Sequence, residues 1–210
     1  MSLDLAAVLG KNRIIPIAQF DDPRAALRTA ELLAEHSFGI LEITLRTDAA
    51  FDCIAGVRRE FPGLSVGAGS ILTLESFKKA VDAGASFCVA PGTDMEIVDY
   101  ANSRSIPFIP GVATPTEINA ALAKCPVVKL FPAVQLGGIE YIMAVTAPFK
   151  TKNFHLVPTG GINRDNYRDY LRQDRVIAVG MSYPVDSALV RKGDFAALGE
   201  RMKDIMSGLR

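Results

Sequence analysis

Eight short apolar segments alternate with amphipathic helical segments, and this alternation limits the fold more than any other feature of the chain. Strands that alternate with helices pair in parallel through right-handed crossovers. Eight such units in 210 residues predict an α/β protein built as a closed (β/α)8 TIM barrel, and the alternative is an open doubly wound sheet. The strand-like segments are residues 14–18, 40–45, 65–68, 87–90, 107–110, 127–131, 155–158 and 176–179. The helical segments are residues 23–35, 49–61, 74–83, 95–104, 115–123, 138–145, 164–172 and 194–208.

The whole chain, residues 1–210, is expected to form a single (β/α)8 domain. No Ser/Gly linker, shift in composition or block of charge divides it. Ser2 is expected to cap a short N-terminal helix that ends near Gly10. The first residues lack the basic start and the apolar length of a signal peptide, and no run of about 18 apolar residues predicts a membrane span.

Charge and cysteine content exclude several classes of function. The 23 basic and 23 acidic residues give a net charge of zero, so no general attraction to nucleic acid or membrane is expected. Cys53, Cys88 and Cys125 are far apart in sequence, which favours reduced thiols that pack as small apolar residues in a cytoplasmic protein. His36 and His155 are also widely separated, and no His/Cys cluster has the spacing of metal ligands, so we expect a mechanism that uses no metal.

Lys129 interrupts an apolar strand that runs from Val127 to Phe131. Side chains alternate across a strand, so these three residues share one face. Burial of an ammonium is unfavourable unless it is paired, and desolvation favours the uncharged amine that can attack a carbonyl and form a Schiff base. The alternative is a lysine at the strand end whose amine reaches water.

Glu42 and Arg46 add charge to the second strand segment. Alternation puts Glu42, Thr44 and Arg46 on one face, and we expect this face to point into the barrel because helices cover the outside. An inward carboxylate and guanidinium near Lys129 indicate a catalytic site. The alternative is a structural ion pair that fills the barrel centre.

Glycine and serine cluster in the loops that follow several strands, at the end of the barrel where active sites form. Gly160 and Gly161 follow the seventh strand and Ser182 follows the eighth, where barrels often bind phosphate through backbone N–H groups. Ser70, after the third strand, offers a hydroxyl to a substrate carboxylate. Pro91, after the fourth, is expected to line the same pocket. Each of these loops also fits an ordinary tight turn.

Six short motifs, in this order and spacing, resemble the KDPG/KHG aldolase family. They are LEITLRT, GAGSILT, APGTD, PGVATPTE, KLFPA and PTGGI, and the likeness runs from about Ile14 to Gly193. The family comprises class I pyruvate aldolases that cleave 2-keto-3-deoxy-6-phosphogluconate or 4-hydroxy-2-oxoglutarate. The resemblance implies a cytoplasmic (β/α)8 barrel, usually a homotrimer, that acts on a small keto acid without metal or cofactor.

The resemblance also implies roles for the residues that match these motifs. Lys129 would be the Schiff-base lysine and Glu42 the acid/base. Arg46, Ser70 and Thr159 would hold the substrate carboxylate and neighbouring oxygens. Phe131 would pack against the adduct. The phosphate end of the substrate would be bound by Gly160, Gly161 and Ser182.

Three residues depart from patterns frequent among these relatives. Met181 stands where many have glycine, and its side chain is expected to crowd a phosphate. Gln19, near the end of the first strand, replaces a frequent arginine, and Tyr183 replaces a frequent tryptophan. These departures leave the pyruvate half of the expected site intact and weaken the case for the usual phosphorylated substrate.

Two other classes of protein use the same barrel. A sugar-phosphate isomerase or epimerase generally needs paired carboxylates or histidines, often with a metal, and this chain offers one inward Glu. A barrel that binds a phosphorylated metabolite without turning it over would not need Lys129, Glu42 and Arg46 together. Aldol cleavage is therefore the function that the sequence favours.

Overall fold

The computed structural model describes residues 3–209 and has an α/β architecture. Its strands are β1 Ile14–Ala18, β2 Ile40–Thr44, β3 Ser65–Gly69, β4 Phe87–Val89, β5 Phe108–Ile109, β6 Gly111–Val112, β7 Val127–Leu130, β8 His155–Pro158 and β9 Val179–Met181. Its helices are α1 Leu5–Asn12, α2 Pro23–Glu35, α3 Ala50–Glu60, α4 Leu74–Asp82, α5 Met95–Ser103, α6 Pro115–Leu122, α7 Gly138–Thr146, α8 Tyr167–Leu171, α9 Ser187–Lys192 and α10 Phe195–Ser207.

The strands form a closed parallel barrel. Six pair in the order β5-β4-β3-β2-β1-β9, and three pair in the order β6-β7-β8. Only Pro110 separates β5 from β6, so these are two halves of the fifth barrel strand. Between β8 and β9, parallel bridges join Leu156 to Val176 and Thr159 to Gly180. This circular order confirms the predicted (β/α)8 TIM barrel and excludes the open doubly wound sheet.

The boundaries of two strands differ from the sequence prediction by more than one residue. The fifth strand is divided because Pro110 has no N–H to donate to a neighbour. The last strand begins at Val179 rather than at Val176, because Val179 and the two residues after it pair with β1. Val176 instead forms an isolated bridge to β8.

The helices follow the predicted segments with three exceptions. Helix α1 is capped by Asp4, whose carboxylate accepts the N–H of Ala7 at 3.1 Å, whereas Ser2 lies outside the described residues. Helix α8 begins at Tyr167, three residues late, because the side chain of Asn163 accepts backbone N–H groups in a turn that precedes it. Helix α9 was not predicted at all. None of the helices within residues 3–209 is long and apolar enough to cross a membrane.

Apolar side chains form two layers that the barrel wall separates. The larger cluster lies between the strands and the surrounding helices, whereas a smaller one fills the barrel interior. The interior cluster combines strand residues such as Ile40, Phe87 and Val127 with Leu9 of helix α1. Helix α1 therefore closes the N-terminal end of the barrel, and the C-terminal strand ends form the open rim.

Candidate active site

Lys129 of β7 and Glu42 of β2 meet inside the barrel. The two strands are four apart in the circular order, so the side chains come from opposite walls. Lys129 Nζ lies 3.7 Å from Glu42 Oε1, and the two side chains are 7% and 2% exposed. The residues next to Glu42 and Lys129 in sequence, such as Ile43 and Val128, point the other way and pack in the outer apolar layer. The strand alternation therefore placed both charged side chains on the correct face, and Lys129 does not reach bulk water.

Glu42 Oε1 is buried and accepts no hydrogen bond from any residue within 3–209. Its 3.7 Å separation from Lys129 Nζ is longer than a hydrogen bond. The pair is therefore close enough for electrostatic attraction, and a water molecule or a substrate hydroxyl can connect the two atoms. An unsatisfied buried carboxylate oxygen beside a buried lysine marks this pair as a candidate for acid/base and nucleophilic chemistry.

Phe131 follows β7 and forms one wall beside the amine. Its ring centroid lies 5.4 Å from Lys129 Nζ, within the range of a cation–π contact. Phe131 as a whole is half-buried. Phe131 is therefore placed to pack against any group attached to Lys129.

Arg46 and Ser70 lie together at the rim. Arg46 Nε donates a hydrogen bond to Ser70 Oγ at 3.2 Å. Ser70 has a left-handed backbone, with φ of 62°, and immediately follows β3. Arg46 itself is exposed, which corrects the prediction that it points into the barrel: β2 ends at Thr44, so strand alternation no longer applies two residues later. Its remaining N–H groups are available to a carboxylate.

The loops after β8 and β9 are adjacent because Thr159 bridges to Gly180. Gly160 and Gly161 both have left-handed backbones, with φ of 97° and 76°. Within residues 3–209, no backbone hydrogen bond uses the N–H of Gly160, Gly161 or Ser182 as its donor. Two neighbouring loops with free N–H donors are suited to hold an anion.

Gly180 has a role in this arrangement that the sequence analysis did not identify. A Cβ at Gly180 would lie 2.4 Å from Thr159 Oγ1, so the missing side chain leaves room for that hydroxyl. Thr159 is buried and its Oγ1 lies 3.4 Å from the carbonyl oxygen of Val157. The available signal was a glycine that directly follows the predicted last strand, residues 176–179.

Met181 does not crowd the loops after β8 and β9, which are suited to hold an anion. Its side chain is buried in the outer apolar layer, behind the barrel wall, and its φ is not left-handed. The expectation of a steric conflict was therefore wrong: within β9, Met181 has the orientation opposite to that of Gly180, which faces the barrel interior. The Tyr183 ring packs against the guanidinium of Arg201 at 4.6 Å.

Pro91 and Gln19 also lie at the rim. Pro91 follows β4 and is half-buried. A Cβ added at Gly111 would lie only 2.2 Å from the carbonyl group of Pro91. The loop after β4 is therefore packed directly on β6. Gln19 follows β1 and is half-buried.

The three cysteines lie outside this arrangement. All are buried and unpaired by disulfides, as predicted. Burial raises the pKa of Cys53 to about 11, of Cys88 to about 12 and of Cys125 to about 11. The thiols are therefore protonated near neutral pH and pack as small apolar groups.

Comparisons with known proteins agree on one family. The sequence model for KDPG and KHG aldolase matches residues 5–201. The chain is 37% identical over 189 residues to the 2-dehydro-3-deoxy-phosphogluconate aldolase of Treponema pallidum, covering 90% of this chain and 89% of that protein. It is 31% identical over 205 residues to the KHG/KDPG aldolase of Escherichia coli K12, covering 97% and 95%.

A solved structure that contains a covalent reaction intermediate is also similar to this chain. The KDPG aldolase of Legionella pneumophila, in which pyruvate is captured as a covalent carbinolamine intermediate, superposes with a TM-score of 0.89. Its sequence is 33% identical, and the match covers 94% of this chain and 96% of that one.

Proposed function

The chain belongs to the KDPG and KHG aldolase family and is a class I aldolase, and on that premise we propose how its own residues perform the reaction. The substrate class is a 2-keto-3-deoxy-6-phospho sugar acid or 4-hydroxy-2-oxoglutarate, which a carbon–carbon lyase of this kind cleaves to pyruvate and an aldehyde. Isomerisation, epimerisation and non-catalytic binding are not favoured. Lys129 is proposed as the Schiff-base lysine and Glu42 as the acid/base.

One observation carries this proposal: Lys129 and Glu42 are buried, 3.7 Å apart, at the open end of the barrel, and Glu42 Oε1 has a free acceptor position. The amine can reach a carbonyl that enters from the rim. The carboxylate can exchange protons with that amine and with oxygen atoms of the bound substrate. A structural ion pair would leave no such acceptor unsatisfied.

The proposed reaction begins when the Lys129 amine attacks the C2 carbonyl of the substrate. Glu42 passes a proton from the attacking nitrogen to the C2 oxygen to give a carbinolamine, and then delivers a second proton, taken up from solvent, so that the hydroxyl leaves as water and an iminium forms. The iminium withdraws electrons from the C3–C4 bond. When Glu42 removes the proton of the C4 hydroxyl, that bond breaks to give an aldehyde and an enamine. Protonation at C3 and hydrolysis then release pyruvate and the free lysine.

Arg46, Ser70 and Thr159 are proposed to hold the carboxylate end of the substrate. The hydrogen bond between Arg46 and Ser70 fixes the guanidinium while leaving other N–H groups free for a two-pronged contact. Phe131 is proposed to pack against the adduct, and Pro91 to line the pocket.

Gly160, Gly161 and Ser182 are proposed to bind the far end of the substrate, where free N–H groups support a phosphate. Met181, buried behind the barrel wall, leaves that space open. Two departures then remain against phosphate: Gln19, which adds no positive charge at the rim, and Tyr183, which replaces a frequent tryptophan. We expect kcat/KM to be higher for the phosphorylated sugar acid than for its non-phosphorylated form, and equal values would contradict a phosphate site.

Borohydride trapping tests the central proposal. Protein incubated with pyruvate and borohydride should gain the mass of one reduced pyruvyl group, located by peptide mapping on Lys129. The Lys129→Ala variant should show no adduct and no cleavage activity. Lys124→Ala is the matched control, since Lys124 is exposed and paired with Asp99. An adduct on another lysine, or none in the unmodified protein, would overturn the assignment.

The assembly and location of the protein are also proposals. The family resemblance supports a homotrimer, and the exposed Leu72 beside the rim is the kind of side chain that such an interface covers. Three reduced, buried thiols support a cytoplasmic location.

A further inference from the structure

Gly69, the last residue of β3, lies directly against the carboxylate of Glu42. A Cβ at this position would be 2.0 Å from Glu42 Oε1, 2.7 Å from its Cδ and 2.8 Å from its Cγ. Non-bonded carbon and oxygen atoms do not approach so closely. Any side chain at position 69 would therefore overlap Glu42 as it now lies.

Gly69 is not required for its backbone conformation. Its φ lies outside the left-handed region, and its strand pairs regularly with β2 through Thr44. Alanine is therefore compatible with the backbone. The property of Gly69 that matters is the empty space in place of a side chain.

Glu42 has little freedom to move out of this overlap. Its side chain is 2% exposed inside a closed barrel, and Lys129 Nζ lies 3.7 Å from the same oxygen that the Cβ would meet. A Cβ at position 69 would push Oε1 by about 1 Å or more to reach ordinary van der Waals distance. The relation between the carboxylate and the amine would then change.

We propose that Gly69 is a positioning residue, which by lacking a side chain lets Glu42 Oε1 lie beside Lys129. The inference rests on the proposed function, because its catalytic consequence requires Glu42 to be the acid/base. Misplacement of a catalytic group by about 1 Å costs on the order of 100-fold in rate. The amine itself and the Arg46–Ser70 pair keep their places, so substrate binding should change little.

Gly67 provides a matched control on the same strand and the same face. A Cβ at Gly67 would be 2.2 Å from the ring of Phe87, in the apolar cluster that fills the barrel. Gly67→Ala therefore creates a comparable steric conflict in the interior, and the three atoms nearest to its Cβ all belong to Phe87 rather than to Glu42. It separates loss of packing from loss of carboxylate position.

The kinetic test compares Gly69→Ala and Gly67→Ala in the native chain and in a Glu42→Gln background. Gly69→Ala should lower kcat 10- to 100-fold in the native chain with less than a threefold change in KM, by the estimate for a displaced catalytic group. In the Glu42→Gln background it should change kcat less than twofold, because the acid/base is already lost. Gly67→Ala should have the same effect in both backgrounds.

The outcomes separate the two proposals. If Gly69→Ala lowers kcat equally in both backgrounds, or leaves the native kcat unchanged, the positioning role is overturned. If Glu42→Gln alone keeps the native kcat, the proposed function of Glu42 fails instead.

A stability test covers the case in which Gly69→Ala does not fold. Glu42→Ala removes the carboxylate together with the Cγ that a Cβ at position 69 would meet. Gly69→Ala should then leave the melting temperature of Glu42→Ala nearly unchanged, although it lowers that of the native chain. An equal loss in both backgrounds would show that the overlap does not involve Glu42 and would overturn the inference.

Discussion

The carboxylate of Glu42 holds a buried oxygen that accepts no hydrogen bond within residues 3–209. Such a group costs on the order of 1–3 kcal/mol when its acceptor position stays empty. The substrate can supply the missing donor, since both the carbinolamine hydroxyl and the C4 hydroxyl of the proposed intermediates would face this oxygen. The unfavourable contact in the free protein thus becomes a favourable one during the reaction.

Glu42→Gln tests the acid/base role. The amide has nearly the same shape but cannot accept and return a proton, so kcat should fall by roughly 10²–10⁴. Because solvent can slowly supply the protons that Glu42 moves during iminium formation, pyruvate trapping by borohydride should still label Lys129 after a long incubation, measured by mass spectrometry. No labelling even after a long incubation would contradict the acid/base role and indicate that Glu42 serves mainly to hold the lysine.

Single residues were predictable from sequence where a regular element carried them. Glu42 and Lys129 face inward because two-residue alternation holds within β2 and β7. Arg46 lies beyond the end of its strand, so the same argument placed it wrongly. Met181 was misplaced because its orientation depends on where β9 begins, which the apolar pattern alone did not define.

At the scale of elements, local signals predicted most helices, and several of these begin at their own capping residue. Asp22 caps α2 and precedes a proline at the first helical position, as expected. Helix α9 has equivalent signals in Asp186 and in Gly193 at its end, but six residues are too few to show a helical period. The split of the fifth strand at Pro110 depends on pairing with both neighbours, which one segment of sequence does not specify.

Asp186→Ala tests the capping of α9. The carboxylate accepts the N–H groups of Ala188 at 2.9 Å and Leu189 at 3.1 Å, and Arg201 lies 3.1 Å from its second oxygen. Loss of these contacts should reduce the free energy of unfolding by about 1 kcal/mol, measured by urea denaturation. Asp186→Asn should retain most of the capping effect, and an equal loss in both variants would indicate that Arg201 dominates.

The same contacts predict a pH dependence. Burial would raise the pKa of Asp186, but hydrogen bonds from Leu189, Arg201 and Ala188 outweigh it and hold the pKa below its ordinary value. A lowered folded-state pKa stabilises the protein above the unfolded-state pKa of about 3.9, and this contribution is lost as pH falls further. The stability difference between the native chain and Asp186→Ala should therefore narrow below about pH 4.

For the whole molecule, the count and order of the strand and helix units predicted the barrel. Closure itself depends on contacts between residues far apart in sequence, such as the pairing of Ile14 with Val179. The role of α1 was not predictable from its own pattern. Its Leu9 becomes part of the interior cluster only once the strands have closed around it.

The proposed trimer gives a prediction at this scale. Leu72 follows β3 and is 70% exposed, the highest value among the large apolar side chains within residues 3–209. Sedimentation should give the mass of three chains, and Leu72→Asp should favour dissociation if this side chain lies in the interface. A single-chain mass for the unmodified protein would contradict the trimer.

Because α1 closes the N-terminal end of the barrel, substrate enters and products leave through the same opening at the other end. The aldehyde is not covalently attached, so it leaves before pyruvate, whose carbon atoms are still bonded to the lysine. Added pyruvate should therefore compete with substrate for the free lysine amine. Added aldehyde should reverse the reaction only while the enamine is attached to the lysine.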